Sequence, residues 1–106
     1  MKYKRLKKNA DFQKLFKKGK RVFSRTLTVI YTPARERTVM GIALSKKHGK
    51  AVKRNRIKRL IRAAFFNNFE KLSGNYSLVV LPKICEEYSY AEIEKSLIVC
   101  FRRMEE

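Results

Sequence analysis

Acidic residues are scarce in this chain where basic ones are dense. Of 106 residues, 27 are Lys or Arg and 9 are Asp or Glu, a formal charge of +18. Residues 1–62 hold 22 of the cations against only Asp11 and Glu36; residues 63–106 carry 5 cations against 7 acids. Cysteine is scarce too. Cys85 and Cys100 are too few for a disulfide framework, which points to a reducing cytosol. No apolar run approaches the roughly 20 residues of a membrane span, and no secretory leader pattern is visible. Four Gly and two Pro form neither a linker nor a Gly-rich phosphate loop. The lone His48 has no partner of known geometry, so it suits a backbone or phosphate contact better than a general base. His48, Cys85 and Cys100 have no metal-ligand spacing, and Glu86, Glu87, Glu92 and Glu94 read as solvated surface away from the charged face. A protein nuclease would need a His or carboxylate cluster among its cations, and none is visible.

Enough apolar material remains for a core. Apolar types make up 44% of the residues, which excludes a disordered polyelectrolyte, and the length fits a single domain over 1–106. Crowding like charges opposes folding unless an anionic partner offsets the repulsion, and the excess exceeds what solubility requires. Nucleic acid and anionic membrane are the polyanions that qualify.

Local patterns divide the chain into alternating elements. Residues 1–8 form a basic lead-in, expected to be mobile. Asn9 suits the cap of a helix over 10–18 with an apolar stripe of Phe12, Leu15 and Phe16, ended by Gly19. Residues 20–32 are rich in β-branched and aromatic types and read as extended, closed by Pro33. Residues 39–44 (VMGIAL) predict a central strand covered on both faces. A long helix is expected over 50–68, with Ile57, Leu60, Ile61, Ala64 and Phe65 as its buried stripe. Another strand follows over 76–81. A final helix opens at a Ser89–Glu92 capping box and buries Ile93, Leu97, Cys100, Phe101 and Met104. Together these describe an α+β fold.

The segment from Lys46 to Arg62 (KKHGKAVKRNRIKRLIR) carries the chemistry. Nine of its seventeen residues are Lys or Arg and none is acidic. On a helical wheel Asn55, Arg59 and Arg62 lie opposite the Ile57 stripe, flanked by Arg56 and Lys58. Arg forks bind phosphates bidentately, so the face suits a nucleic-acid backbone. Lys50, Lys53 and Arg54 fall in the same sector as the apolar stripe. The first turns of this helix are therefore expected to overhang the sheet, free in solvent. A bound phosphate there would offset the unfavourable meeting of cations with the helix N-terminus. The residues alone leave open an RNA-processing cofactor and a structural RNA-binding protein of ribosomal type. A membrane-surface helix fits less well, because the apolar stripe faces a core. Phe12 and Phe16, four residues apart, suit either plain core or stacking on unpaired bases.

The string SKKHGKAVKRNRIKRLIRAAF, with Arg54-Asn55-Arg56 at its centre, resembles the signature of the bacterial ribonuclease P protein component family. RLKKNADFQKLFKKG and SYAEIEKSL resemble that family's first and last helices, so the likeness spans nearly the whole chain. The resemblance implies a small sheet of about four strands with three helices, in the order α-β-β-β-α-β-α, with a left-handed βαβ crossover. Three strands before the basic helix would require residues 20–32 to split near Ser24-Arg25. It also implies a subunit that assists a catalytic RNA in removing the 5′ leader of precursor tRNA. The RNA subunit would perform the hydrolysis with Mg²⁺ that it mainly holds itself, and the protein, a monomer in the cytoplasm, would supply no catalytic residue. Carried over by position, Lys46, Lys47, Lys50, Lys53, Arg54, Asn55, Arg56, Lys58, Arg59 and Arg62 would contact the RNA subunit. Phe12, Phe16, Ile30 and Tyr31 would line the leader cleft. Ile30 stands where many members carry an aromatic, and Tyr31 follows one step later on the opposite strand face.

Overall fold

The computed structural model describes residues 3–106; Met1 and Lys2 of the expected lead-in lie outside them. Five strands and three α-helices follow in chain order: β1 (Lys4–Arg5), α1 (Asn9–Lys18), β2 (Lys20–Phe23), β3 (Leu27–Pro33), β4 (Val39–Ile42), α2 (Ala51–Asn68), β5 (Tyr76–Pro82) and α3 (Tyr90–Met104). The sheet order is β1-β4-β5-β3-β2. β2 pairs antiparallel with β3, β3 antiparallel with β5, and β4 parallel with both β5 and β1. The family-like α+β order holds, and the extended stretch over 20–32 splits at residues 24–26. Thr26 ties that turn to α3, where the Ser96 hydroxyl accepts from the Thr26 amide (3.2 Å) and hydroxyl (2.6 Å).

The lead-in supplies the extra strand. The Lys4 amide donates to Thr38 O and the Leu6 amide to Met40 O, both at 2.9 Å. Tyr3 fixes it in place, its ring meeting Phe65 edge-on at 4.8 Å and Phe69 at 5.1 Å. From Tyr3 onward, then, the segment expected to move is docked. An aromatic buried beside two others outweighs the repulsion of its charged neighbours.

Strand alternation sends each neighbour to an opposite face. Leu27, Val29, Tyr31, Met40, Leu78 and Val80 face α2 and α3 and form the main core with Ile57, Ile61, Phe65, Ile93, Leu97 and Phe101. The other face carries a smaller cluster of Leu15, Ile30 and Val79, bordered by Phe12, Phe16, Ala43 and Leu81. The predicted stripes of α2 and α3 are buried, with Leu60 half-buried at the margin, while α1 buries Leu15 fully and Phe12 and Phe16 by half. Two local expectations shift. Lys8 rather than Asn9 is the N-cap of α1, with no side-chain cap bond. The strand expected over 39–44 closes at Ile42.

Gly41 lies on the α1 side of β4, where a Cβ would stand 2.8 Å from Phe12 Cζ and 2.9 Å from Leu6 Cβ. Its lack of a side chain is what lets the Phe12 ring settle against the sheet.

Candidate nucleic-acid interface

A short, rigid entry precedes the basic helix. Lys46–His48 form a single 3₁₀ turn capped by Ser45, whose hydroxyl accepts from the Lys47 amide at 3.3 Å. His48 is buried and pins this turn to the end of β5. Its Nε2 donates to Pro82 O at 2.7 Å and its Nδ1 accepts from the Ser45 amide at 3.1 Å. A carbonyl can only accept and an amide can only donate, so these partners assign the neutral Nε2–H tautomer. His48 is thus the backbone contact of the two roles expected for it, with no ring nitrogen left over for a phosphate. Gly49 follows at φ +110°, where an L side chain is strained, and an added Cβ would stand 2.8 Å from Lys53 Cδ. Lys46 and Lys47 project from this turn and Lys50 from the N-cap of α2, all exposed.

The cations of α2 divide among three flanks. Arg54, Asn55 and Lys58 line a groove of about 470 Å³ whose opposite wall is Phe12, Gln13 and Phe16 of α1, with Ile42, Ala43 and Leu44 beneath. Arg56 and Arg59 are exposed. Lys53 turns the other way, its ammonium 5.9 Å from the centre of the Tyr88 ring, in a hollow shared with Arg56, Glu86 and Glu87. Lys53 and Arg54 are half-buried, so of the three residues expected free in solvent only Lys50 is. Glu86 and Glu87 also depart from expectation: the loop after β5 brings them beside the basic helix rather than away from it.

Phe12 and Phe16 are half-buried, each serving the small cluster with one side and the groove with the other. Core and surface, posed as alternatives from spacing, hold together. Arg54 faces them with an Nε that is buried and has no hydrogen-bond partner among the described residues. An orphaned buried donor costs about 1–3 kcal/mol, which an incoming acceptor would offset. Ile30 and Tyr31 are both elsewhere. Ile30 is 1% exposed in the cluster beneath α1. Tyr31 points into the main core, where it meets Tyr76 at 5.7 Å and its hydroxyl donates to Met104 O at 3.4 Å. Burial by α1 takes the first from the cleft; strand alternation takes the second.

The sequence reading missed Arg5. Beyond Phe12 a second hollow of about 180 Å³ is lined by Tyr3, Arg5, Lys58 and Arg62, with no acid in its wall. Burial raises the Tyr3 hydroxyl above its ordinary pKa, while Arg5 and Arg62 pull it down. Arg5 reaches this place only because β1 pairs with β4, a contact between residues more than thirty apart in sequence. The sign of its charge was visible, but its position was not. Among the described residues no three His, Cys, Asp or Glu gather as metal ligands would, so those residues offer no carboxylate set for the implied Mg²⁺. No helix among them is long and apolar enough to cross a membrane.

A groove with cations on one wall and aromatic rings on the other suits a flexible polyanion that carries flat rings, the chemistry of a protein that binds nucleic-acid strands. Residues 1–105 match the sequence model of the ribonuclease P family. The ribonuclease P protein component of Bacillus velezensis is 43% identical over 102 residues, covering 93% of this chain and 87% of that relative. That of Bacillus pumilus is 44% identical over 103 residues, covering 93% and 86%. Among solved structures, the RNase P protein of Staphylococcus aureus is 33% identical with a TM-score of 0.82, covering 95% of this chain and 94% of that one. The protein from Thermotoga maritima is 26% identical with a TM-score of 0.84, covering 94% and 96%. The chain belongs to the ribonuclease P protein component family.

Proposed function

We propose that this chain is the protein subunit of a bacterial ribonuclease P, acting in the cytoplasm as one copy per catalytic RNA. The RNA subunit carries the hydrolysis and holds the Mg²⁺ that supports it, and the protein contributes position and charge. The exposed cations Lys46, Lys47, Lys50, Arg56 and Arg59 bind the RNA subunit's backbone, with Lys53 at the edge of that strip. The groove between α1 and α2 takes the 5′ leader of precursor tRNA. There Arg54, Asn55 and Lys58 meet its phosphates while Phe12 and Phe16 offer ring faces to unpaired bases. Arg5 and Arg62 extend the same path past Phe12.

The observation that carries this reading is the meeting of two aromatic side chains with three polar side chains of the Arg54-to-Lys58 segment across one open groove. Such a groove fits a single strand, whose bases are free to stack, better than a duplex, whose bases are already paired. Lining cations raise the local concentration of RNA and relieve phosphate repulsion, which lowers the Mg²⁺ needed for RNA catalysis.

The test is cleavage of precursor tRNA by the cognate RNA subunit at low, near-physiological Mg²⁺, with and without the protein. Protein-dependent cleavage at the mature 5′ end, with none from the protein alone, is the expected result. Tight RNA binding with no gain in cleavage would replace the reading with that of a structural RNA-binding protein.

A further inference from the structure

The groove and the cation strip leave two exposed apolar residues of α2 unused, Val52 and Phe66, of which only Phe66 is aromatic. Phe66 is 55% exposed and belongs to neither core cluster, although Phe65 beside it is fully buried. Single exposed apolar residues are common on protein surfaces. Phe66, however, lies on a line. Seven residues turn an α-helix to within about 20° of its starting direction, so Val52, Arg59 and Phe66 stand in one row. Val52 is 84% exposed and Arg59 is exposed. Phe66 follows Arg62 by one turn and Arg59 by two, rises of about 6 and 10 Å. It is absent from the walls of the groove that holds Phe12 and Phe16, so it faces a different part of any bound RNA.

The helix end that carries the ring is held firmly. At the last turn of α2 the Asn67 side chain donates from Nδ2 to the Tyr90 hydroxyl at 2.8 Å, and Asn68 Nδ2 donates to Ala64 O at 2.7 Å and to Glu94 Oε2 at 2.9 Å. The Tyr90 hydroxyl donates to the same carboxylate oxygen at 2.9 Å. These bonds clamp the helix end to α3, so the backbone that carries Phe66 is already ordered before binding.

We propose that Phe66 is a base-stacking contact, continuing the RNA interface past Arg62 to the last turn of α2 and receiving an unpaired base of the RNA subunit. The proposal rests on the reading of the chain as an RNA-binding subunit and adds a residue and a mode of contact to it. Charge selects the occupant. The chain has no acid between Glu36 and Glu70, and the guanidiniums of Arg62 and Arg59 stand one and two turns before Phe66. An apolar protein partner would have to desolvate those charges unpaired, whereas an RNA loop brings a phosphate for each Arg and a ring face for Phe66.

The chain has no Trp, so Phe66→Trp installs a single fluorophore at the proposed contact. Titrating this variant with the RNA subunit is expected to quench its emission in step with binding. Phe66→Ala is expected to weaken RNA-subunit binding roughly 5- to 100-fold, the range for losing one base stack, with its salt dependence unchanged. Arg59→Ala, by contrast, lowers the salt slope. Melting curves of both Phe66 variants are expected to match the parent, because the ring packs in neither core. Emission that stays constant while RNA binds, or Phe66→Ala binding within twofold of the parent, overturns the proposal. Self-association lost in Phe66→Ala, with RNA affinity intact, overturns it in favour of a protein contact. If the parent protein itself does not bind the RNA subunit, the underlying reading fails and the proposal with it.

Discussion

Gly41→Ala tests how the groove wall is seated. The new Cβ would stand 2.8 Å from Phe12 Cζ, 2.9 Å from Phe12 Cε1 and 2.9 Å from Leu6 Cβ. Carbon atoms at rest sit about 3.5–4.0 Å apart, so the ring and the lead-in must withdraw by roughly 0.7–1 Å. Overpacking of this kind costs about 1–3 kcal/mol. Replacing Gly lowers unfolded-state entropy and returns about 0.4–1 kcal/mol. A net loss of about 1–2 kcal/mol lowers Tm by roughly 5–10 °C in a domain of this size. Calorimetry reads that loss. A second readout is the ratio of affinities for precursor and mature tRNA in the holoenzyme, which is expected to fall because Phe12 no longer presents its ring at the same depth. Adding Phe12→Leu to Gly41→Ala is expected to recover most of the Tm without restoring the ratio. An unchanged Tm refutes the packing argument, and a lowered Tm with an intact ratio refutes Phe12 as part of the leader wall.

The other expectations concern charge and burial. Arg54→Ala, Arg59→Ala and Arg62→Ala should each reduce the log–log salt slope of RNA binding by about 0.7–0.9 per lost phosphate contact, and Arg5→Ala should do the same through the hollow shared with Lys58. Unchanged slopes in all four would dismiss the cationic path. Under native conditions a thiol reagent should modify Cys85 quickly and Cys100 only on unfolding. Cys100 is fully buried, and that burial also raises its pKa, although the Ser24 hydroxyl beside it lowers it somewhat. Equal rates would contradict the packing of α3. Hydrogen bonds from Asn68 and Tyr90 lower the Glu94 pKa below the ordinary 4.5. A depressed carboxyl stabilises the fold above its unfolded value and loses that effect as pH falls through its folded value. Glu94→Gln should therefore flatten the acid limb of the melting-temperature profile below about pH 4.5. An identical limb would assign the acid sensitivity to other carboxylates.

Local chemistry made much of the molecule legible. The Ile57-to-Phe65 stripe, the Ser89 cap, Pro33 and the β-branched stretches mark helices and strands through interactions only a few residues long. What escaped the sequence depends on partners far along the chain. Tyr3 gave no sign of being buried, since its place is made by Phe65 and Phe69. His48 offered no spacing to read, since its acceptor is the carbonyl of Pro82, thirty-four residues on. Glu86 and Glu87 looked remote because charge was counted along the chain, whereas the loop after β5 folds back onto Lys53 and Arg56.

By itself, then, the sequence determined the order of elements after the lead-in, the cationic helix and the polyanionic class of its partner, because periodicity, capping and formal charge belong to short stretches. Tertiary structure alone decided which cations share a groove with Phe12 and Phe16, which meet an acidic loop, and which aromatics are lost to the core. The physical reason is register. One residue along β3 exchanges the α1 face for the main core, and only pairing with β2 and β5 tells Ile30 from Tyr31.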